Sequence, residues 1–132
     1  MSAKDLDKIK DWLKQKGLSS KLLKFCDQKL LVKLNPKEIA DTLFWCRMGL
    51  EETFNFKKEN IQEAIARYEP KEFIQHRGVY LCIHCGTDIL LEELNLIGKL
   101  ISEKLNYPGM RWAFIKDPKE NSRVKVMVVR VG

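Results

Sequence analysis

Cys82-Ile-His-Cys85-Gly86 places two thiols three residues apart, with an imidazole between them and a glycine behind. Thiolates at this spacing form half of a zinc ribbon, and a closed tetrahedral site needs two further ligands. Cys26 and Cys46 are the other sulfurs. They lack that spacing and fall on apolar faces of helical segments. The residues before the motif alternate, Val79, Leu81 and Ile83 against Tyr80, Cys82 and His84, which is the period of a strand. If the strand runs through Cys85, Cys82 and Cys85 point to opposite faces and cannot share an ion or a disulfide. Zinc at Cys82 and Cys85 is thus the lesser expectation, and buried free thiols the greater. No cofactor is expected.

His84 could act as a base, but the sequence sets no nucleophile or carboxylate beside it, and His76 lies near the start of the strand. A catalytic reading would gather His84, Cys85 and Asp88 at the C-terminal end of the strand, where open α/β sheets bind ligands. Lacking a second polar cluster, this reading ranks below binding, and the expectation is a protein that is not an enzyme.

The elements that would position these groups fall into two sets. Leu6, Ile9 and Leu13 recur at helical spacing with Trp12 beside them, and Gly17 suits a helix stop. Ser19 or Ser20 caps a second helical segment with Leu22, Leu23, Cys26, Leu30 and Leu31. Asn35-Pro-Lys-Glu38 is a strong helix start. Ile39, Ala40, Leu43, Phe44 and Cys46 then form one broad face, ended by Gly49. A further helix is expected to Tyr68, with Ile61, Ala64 and Ile65 inward and Pro70 as its break. After Phe73 the pattern becomes strand, helix, strand, strand. Thr87 or Asp88 caps the long helix, whose stripe is Leu90, Leu94, Ile97, Ile101 and Leu105. Met110 to Ile115 and Arg123 to Val131 are the following strands. The expected class is α+β: a helical lobe over 1–72, then a β-α-β-β lobe over 73–132.

With 132 residues, 45% apolar and 32% charged, the chain is of ordinary globular composition. No apolar run approaches the ~20 residues that span a bilayer. Met1-Ser-Ala-Lys-Asp5 has no apolar leader core, and a cytoplasmic protein with reduced thiols is expected. The net charge is +6, and residues 1–33 carry nine Lys against four Asp. Such a basic face can dock phosphates, an acidic protein or an anionic membrane surface, or be an ordinary solvated helix face.

From Arg77 onward the chain resembles the C-terminal domain of the FtsZ/tubulin family. The matching residues are Arg77-Gly-Val79, Gly86-Thr-Asp88, Leu91-Glu-Glu-Leu-Asn95, Ala113 to Asp117 and Arg123-Val-Lys-Val-Met-Val-Val129. The family binds GTP through a glycine-rich loop whose backbone N–H groups cradle phosphate, and completes hydrolysis with an Asn/Asp loop. Neither element occurs here, and no catalytic residue carries over. The resemblance implies a module for protein contacts or self-association without GTPase activity, linked to assemblies of the filament or cell-division type.

Three strands leave two sheet edges, and the long apolar closing strand, Arg123 to Val131, is a template for pairing unless the N-terminal helices mask it. Lys125, Val128 and Arg130 on that strand are interaction candidates, with Lys125 and Arg130 as partial guards. Trp12 and Trp45, flanking the helical core stripes, are the aromatic candidates; Phe44 is expected in the core. The alternative is a nucleic-acid-binding regulator. It would use the basic N-terminal helices, or a helix-turn-helix-like pairing of the Pro36 helix with a helix over Lys57 to Tyr68.

Overall fold

Residues 78–85 are buried on both sides of their backbone except at His84, so this strand has to lie inside a sheet. The computed structural model describes residues 3–73 and 75–132. Met1 and Ser2, of the start without an apolar leader core, and Ile74, of the linker, lie outside the described residues. In chain order the elements are α1 (Ala3–Gln15), a 3-10 segment (Ser20–Cys26), α2 (Pro36–Phe44), β1 (Gly49–Lys57), α3 (Ile61–Arg67), β2 (Gly78–Cys85), α4 (Leu91–Leu105), β3 (Arg111–Lys116) and β4 (Arg123–Val131). The class is α+β, as the element order implies. The four strands form one sheet in the order β1-β4-β2-β3. β2 and β3 run parallel, joined by the crossover helix α4, and β4 is antiparallel to both its neighbours.

Alternation then divides the core in two. One face presents Tyr80, Cys82, Ala113, Met127, Val129 and Val131 to the N-terminal helices, which contribute Ile9, Leu13, Leu22, Phe25, Ile39 and Leu43. The other presents Leu81, Ile83, Cys85, Phe114, Val124, Val126 and Val128 to α3 and α4, with Ile61, Ile65, Leu94, Ile97 and Ile101. Lys104 near the end of α4 donates to the carbonyls of Ile65 and Ala66 (2.6 and 2.7 Å). A cation thereby meets the negative end of α3 and fastens the two helices.

Some local signals hold and others do not. Asn35 caps α2, its side chain accepting from Lys37 N–H (2.9 Å), with Pro36 in the first turn. Ser19 caps the segment after it, but that segment is a 3-10 helix ending at Cys26 rather than a helix reaching Leu31. α4 starts at Leu91, where Glu93 accepts from the Leu90 N–H (2.9 Å); Thr87 and Asp88 serve the neighbouring loop instead. The largest difference is β1. Residues 49–57 are a strand, not a link between helices, and they pair with β4 along its whole length. Glu52 at an inward position breaks the apolar alternation of Leu50, Phe54 and Phe56, which hid the strand. Segment 1–72 therefore supplies a strand to the sheet of 73–132.

β1 also changes two readings. β4 is an inner strand with neighbours on both sides, so it presents no edge for pairing. α2 lies over one face of the sheet and α3 over the other, with a nine-residue strand between them. α2 and α3 are therefore not paired as a helix-turn-helix.

Candidate functional site

At the C-terminal end of β2 the strand runs through Cys85, and the two thiols of the C-x-x-C motif part. Cys82 enters the core under the N-terminal helices and Cys85 the core under α4. The two thiols are thus too far apart, on opposite faces of the strand, to grip one metal. Among the described residues, no three His, Cys, Asp or Glu side chains gather as a ligand set. Burial pushes the Cys26 and Cys85 thiols up to about 11, and Cys82 well above its ordinary value. A thiol held in its protonated form is a poor nucleophile. We therefore expect Cys82 and Cys85 to resist an aromatic disulfide reagent in the native protein at pH ~8 and to react at once after denaturation. Stoichiometric reaction of either within mixing time would show that the cores are not closed as described.

His84, Cys85 and Asp88 do not converge. The partner the sequence hid from His84 is Asp117, from the end of β3, with Nε2 and Oδ2 3.0 Å apart. Asp88 turns the other way and accepts from Ser122 N–H (2.9 Å) and Oγ (3.1 Å). Ser122 has a left-handed backbone (φ 66°), so the carboxylate secures an uncommon turn. Thr87 N–H and Oγ1 donate to Asn121 (2.9 and 3.0 Å). Gly86 is packed so tightly that an added Cβ would stand 2.6 Å from the Glu120 carbonyl. The polar groups at this end are thus committed to closing the β3–β4 loop over the strand end.

Hydrogen bonds from the Ser122 backbone hold Asp88 below the usual carboxylate range, and those from Lys119 and His84 do the same for Asp117. A depressed folded-state pKa stabilises the fold above the unfolded value, and that stabilisation disappears as pH falls through the folded value. We expect the thermal midpoint to drop below pH ~4, with a shallower acid limb in Asp88→Asn. Identical acid limbs in the two proteins would remove Asp88 from this account.

On β4 the interaction candidates separate. Lys125 is exposed and 2.9 Å from Glu120. Val128 is 0% and Arg130 2% exposed: Val128 packs in the core under α3 and α4, Arg130 is enclosed by Glu52 and the linker, and neither offers its side chain to a partner. Arg130 instead donates to Glu52 (2.5 Å) and to the Lys71 carbonyl (2.8 Å), with Phe73 stacked 5.6 Å away. Tyr68 also donates to Glu52 (2.8 Å). These contacts clasp Tyr68, Lys71 and Phe73 of the linker to the sheet.

Two surface features are left, and side-chain inventory alone did not suggest them together. The first is aromatic. Phe44 is 66%, Trp45 69% and Met48 48% exposed, where Phe44 had been assigned to the core. Half-buried Trp12 meets Phe44 edge-on at 6.5 Å, and Phe44 meets Trp45 at 5.1 Å. α2 ends at Phe44, and its inward positions are taken by Ile39 and Leu43, so Phe44 falls outside the stripe. Burial raises the thiol pKa of the adjoining Cys46, and Arg77 and Lys16 lie close enough to oppose that rise; Arg47 is exposed between Trp45 and Met48. The patch is an apolar surface with a cationic rim. The second feature is the outer edge of β1, beside which Asn60 and, on α3, Glu63, Ala64 and Arg67 line a groove.

No family model matches this chain, and no curated protein is significantly similar to it. Solved structures are. An empty FtsZ dimer from M. jannaschii superposes with a TM-score of 0.69 at 15% identity, over 86% of this chain and 35% of that one. A tryptophan-to-tyrosine mutant of M. jannaschii FtsZ gives a TM-score of 0.62 at 14% identity, over 100% of this chain and 42% of that one. The likeness extends well beyond the residues from Arg77 onward that carry it in sequence. This chain spans less than half the length of the FtsZ chains it matches, and its fold is FtsZ-like.

Proposed function

We propose that this chain is a non-catalytic interaction module resembling the C-terminal domain of FtsZ, one that docks onto itself or onto a filament-forming partner in assemblies of the filament or cell-division type. The observation that carries the reading is the cluster of Phe44, Trp45 and Met48, contiguous with Trp12 and set at the surface. Large aromatics clustered in water at a protein surface mark contact sites, where Trp in particular supplies binding energy. The basic rim selects an acidic surface. The polar residues at the strand end are occupied in closing a loop, which favours binding over catalysis. One similar structure is described as a dimer; that description belongs to FtsZ.

The test is co-sedimentation with preassembled FtsZ filaments, using this chain and its Phe44→Ser/Trp45→Ser variant. The variant keeps its fold because both side chains are exposed. The chain is expected to pellet with filaments, and the variant to lose about tenfold or more in affinity, the usual consequence of removing interface aromatics. Equal pelleting of the two proteins or no pelleting of either would overturn docking of the aromatic patch onto filaments, and GTP turnover by this chain alone would overturn the non-catalytic reading.

A further inference from the structure

We infer that the outer edge of β1 is a self-pairing strand: two copies join antiparallel through β1, fusing their sheets into one of twice the width. The ladder shows which groups are free. Met48 and Gly132 exchange both backbone bonds (3.1 and 3.0 Å), and Lys58 N–H donates to the Ser122 carbonyl (3.0 Å). The register between them is unbroken from Gly49 opposite Val131 to Lys57 opposite Arg123. Even-numbered residues of β1 therefore bond to β4. Glu51, Thr53, Asn55 and Lys57 direct their N–H and C=O groups out of the sheet. The strand is nine residues long, and no bulge interrupts its pairing with β4. Such an edge is a template for another strand. The opposite edge differs, because Phe114 N–H on β3 already donates to the Val32 carbonyl (3.3 Å).

The order of charges on β1 identifies a second copy as the occupant. Glu51-Glu-Thr-Phe-Asn-Phe-Lys-Lys58 is acidic at its start and basic at its end. Two copies paired antiparallel about Phe54 set Glu51 of each opposite Lys57 of the other, and Thr53 opposite Asn55. These odd-numbered residues are the ones with free backbone groups, so each such pair exchanges two hydrogen bonds. Arg123, the cross-strand neighbour of Lys57, strengthens the positive field that Glu51 would meet. Parallel pairing would set Glu51 against Glu51, which is unfavourable. At the dyad, the Phe54 rings meet on the α3 face, each already stacked on Tyr68 at 4.9 Å.

This inference deepens the binding reading by naming a partner, and it involves residues outside the aromatic patch. Sedimentation equilibrium at tens to hundreds of micromolar, with amide exchange on the same samples, tests it. The expected result is a concentration-dependent dimer in which the amides of Glu51, Thr53, Asn55 and Lys57 gain protection. Those of Glu52, Phe54 and Phe56 should be protected at every concentration. Thr53→Pro, which removes an outward donor and spares the β4 ladder, is expected to be a folded monomer. Lys57→Glu alone and Glu51→Lys alone should each weaken pairing about tenfold or more, and an equimolar mixture of the two should recover it. Where Glu51→Lys fails to fold, through loss of its bonds from Ser19, Thr53→Pro and Lys57→Glu carry the test. A monomer at all concentrations, or a dimer indifferent to Thr53→Pro, overturns β1 pairing. Either result leaves the binding reading to the filament assay. A dimer abolished by Phe44→Ser/Trp45→Ser and untouched by the β1 variants also overturns it and makes the aromatic patch the contact.

Discussion

Arg130→Ala is expected to cost about 3–5 kcal/mol of unfolding free energy, a large share of the ~5–15 kcal/mol typical of a domain. The guanidinium is 2% exposed and donates to the Glu52 carboxylate at 2.5 Å and to the Lys71 carbonyl at 2.8 Å. Removing it strands Glu52, whose side chain is only 14% exposed, as an uncompensated charge. The linker carbonyl at Lys71 also loses its donor, and Phe73 its cation. The direct attraction is the lesser part of this cost; the greater part is the unpaired acid left behind. Urea unfolding of Arg130→Ala beside Arg130→Met/Glu52→Leu separates the two. The double variant removes both charges and keeps apolar volume, so it should retain most of the stability that the single variant loses. A loss below ~1 kcal/mol in Arg130→Ala would mean that the pair is hydrated in solution and not a clasp. Protonation of His76 belongs to the same network. Burial and the neighbouring Arg130 hold its pKa below the ordinary 6.5, so the fold disfavours the charged ring.

Residues 73–132 alone should not persist as a stable monomer. Without segment 1–72, β4 loses β1 and becomes a nine-residue apolar edge. The face bearing Tyr80, Cys82, Met127, Val129 and Val131 loses its whole cover. Each buried aliphatic side chain in that cover, among them Ile9, Leu13, Leu22, Ile39 and Leu43, is worth ~1.5–3 kcal/mol. Their combined loss exceeds the stability of an ordinary domain. The fragment is expected to aggregate or to associate through β4, as an uncovered edge does. Size-exclusion chromatography and near-ultraviolet circular dichroism would check this. A monomer with a cooperative melt would instead establish 73–132 as a folding unit of its own.

How much was legible depended on whether a signal was local. Asn35-Pro36 starts a helix wherever it stands, because a side-chain cap and a fixed φ act within one turn. The alternation at 79–84 marked a doubly covered strand for the same reason. It also separated Cys82 from Cys85 before any coordinates, since successive side chains of a strand cannot share a face. β1 was illegible because its inward acid, Glu52, is only tolerable through Arg130, 78 residues away. That missing strand in turn misplaced Val128 and Arg130, since whether a strand is an edge depends on what pairs with it and not on its own residues. His84 gained Asp117 across 33 positions of sequence, again through strand pairing.

The sequence by itself determined the α+β class, the helix start at Asn35-Pro36, the segregated positive charge and the absence of a glycine-rich phosphate loop. Each follows from composition or from interactions within a few residues. Only the tertiary structure decided which strand is inner, which aromatics face water and which charge is locked inside. Burial is a property of what lies opposite a residue, and pairing across tens of residues leaves no periodic trace along the chain.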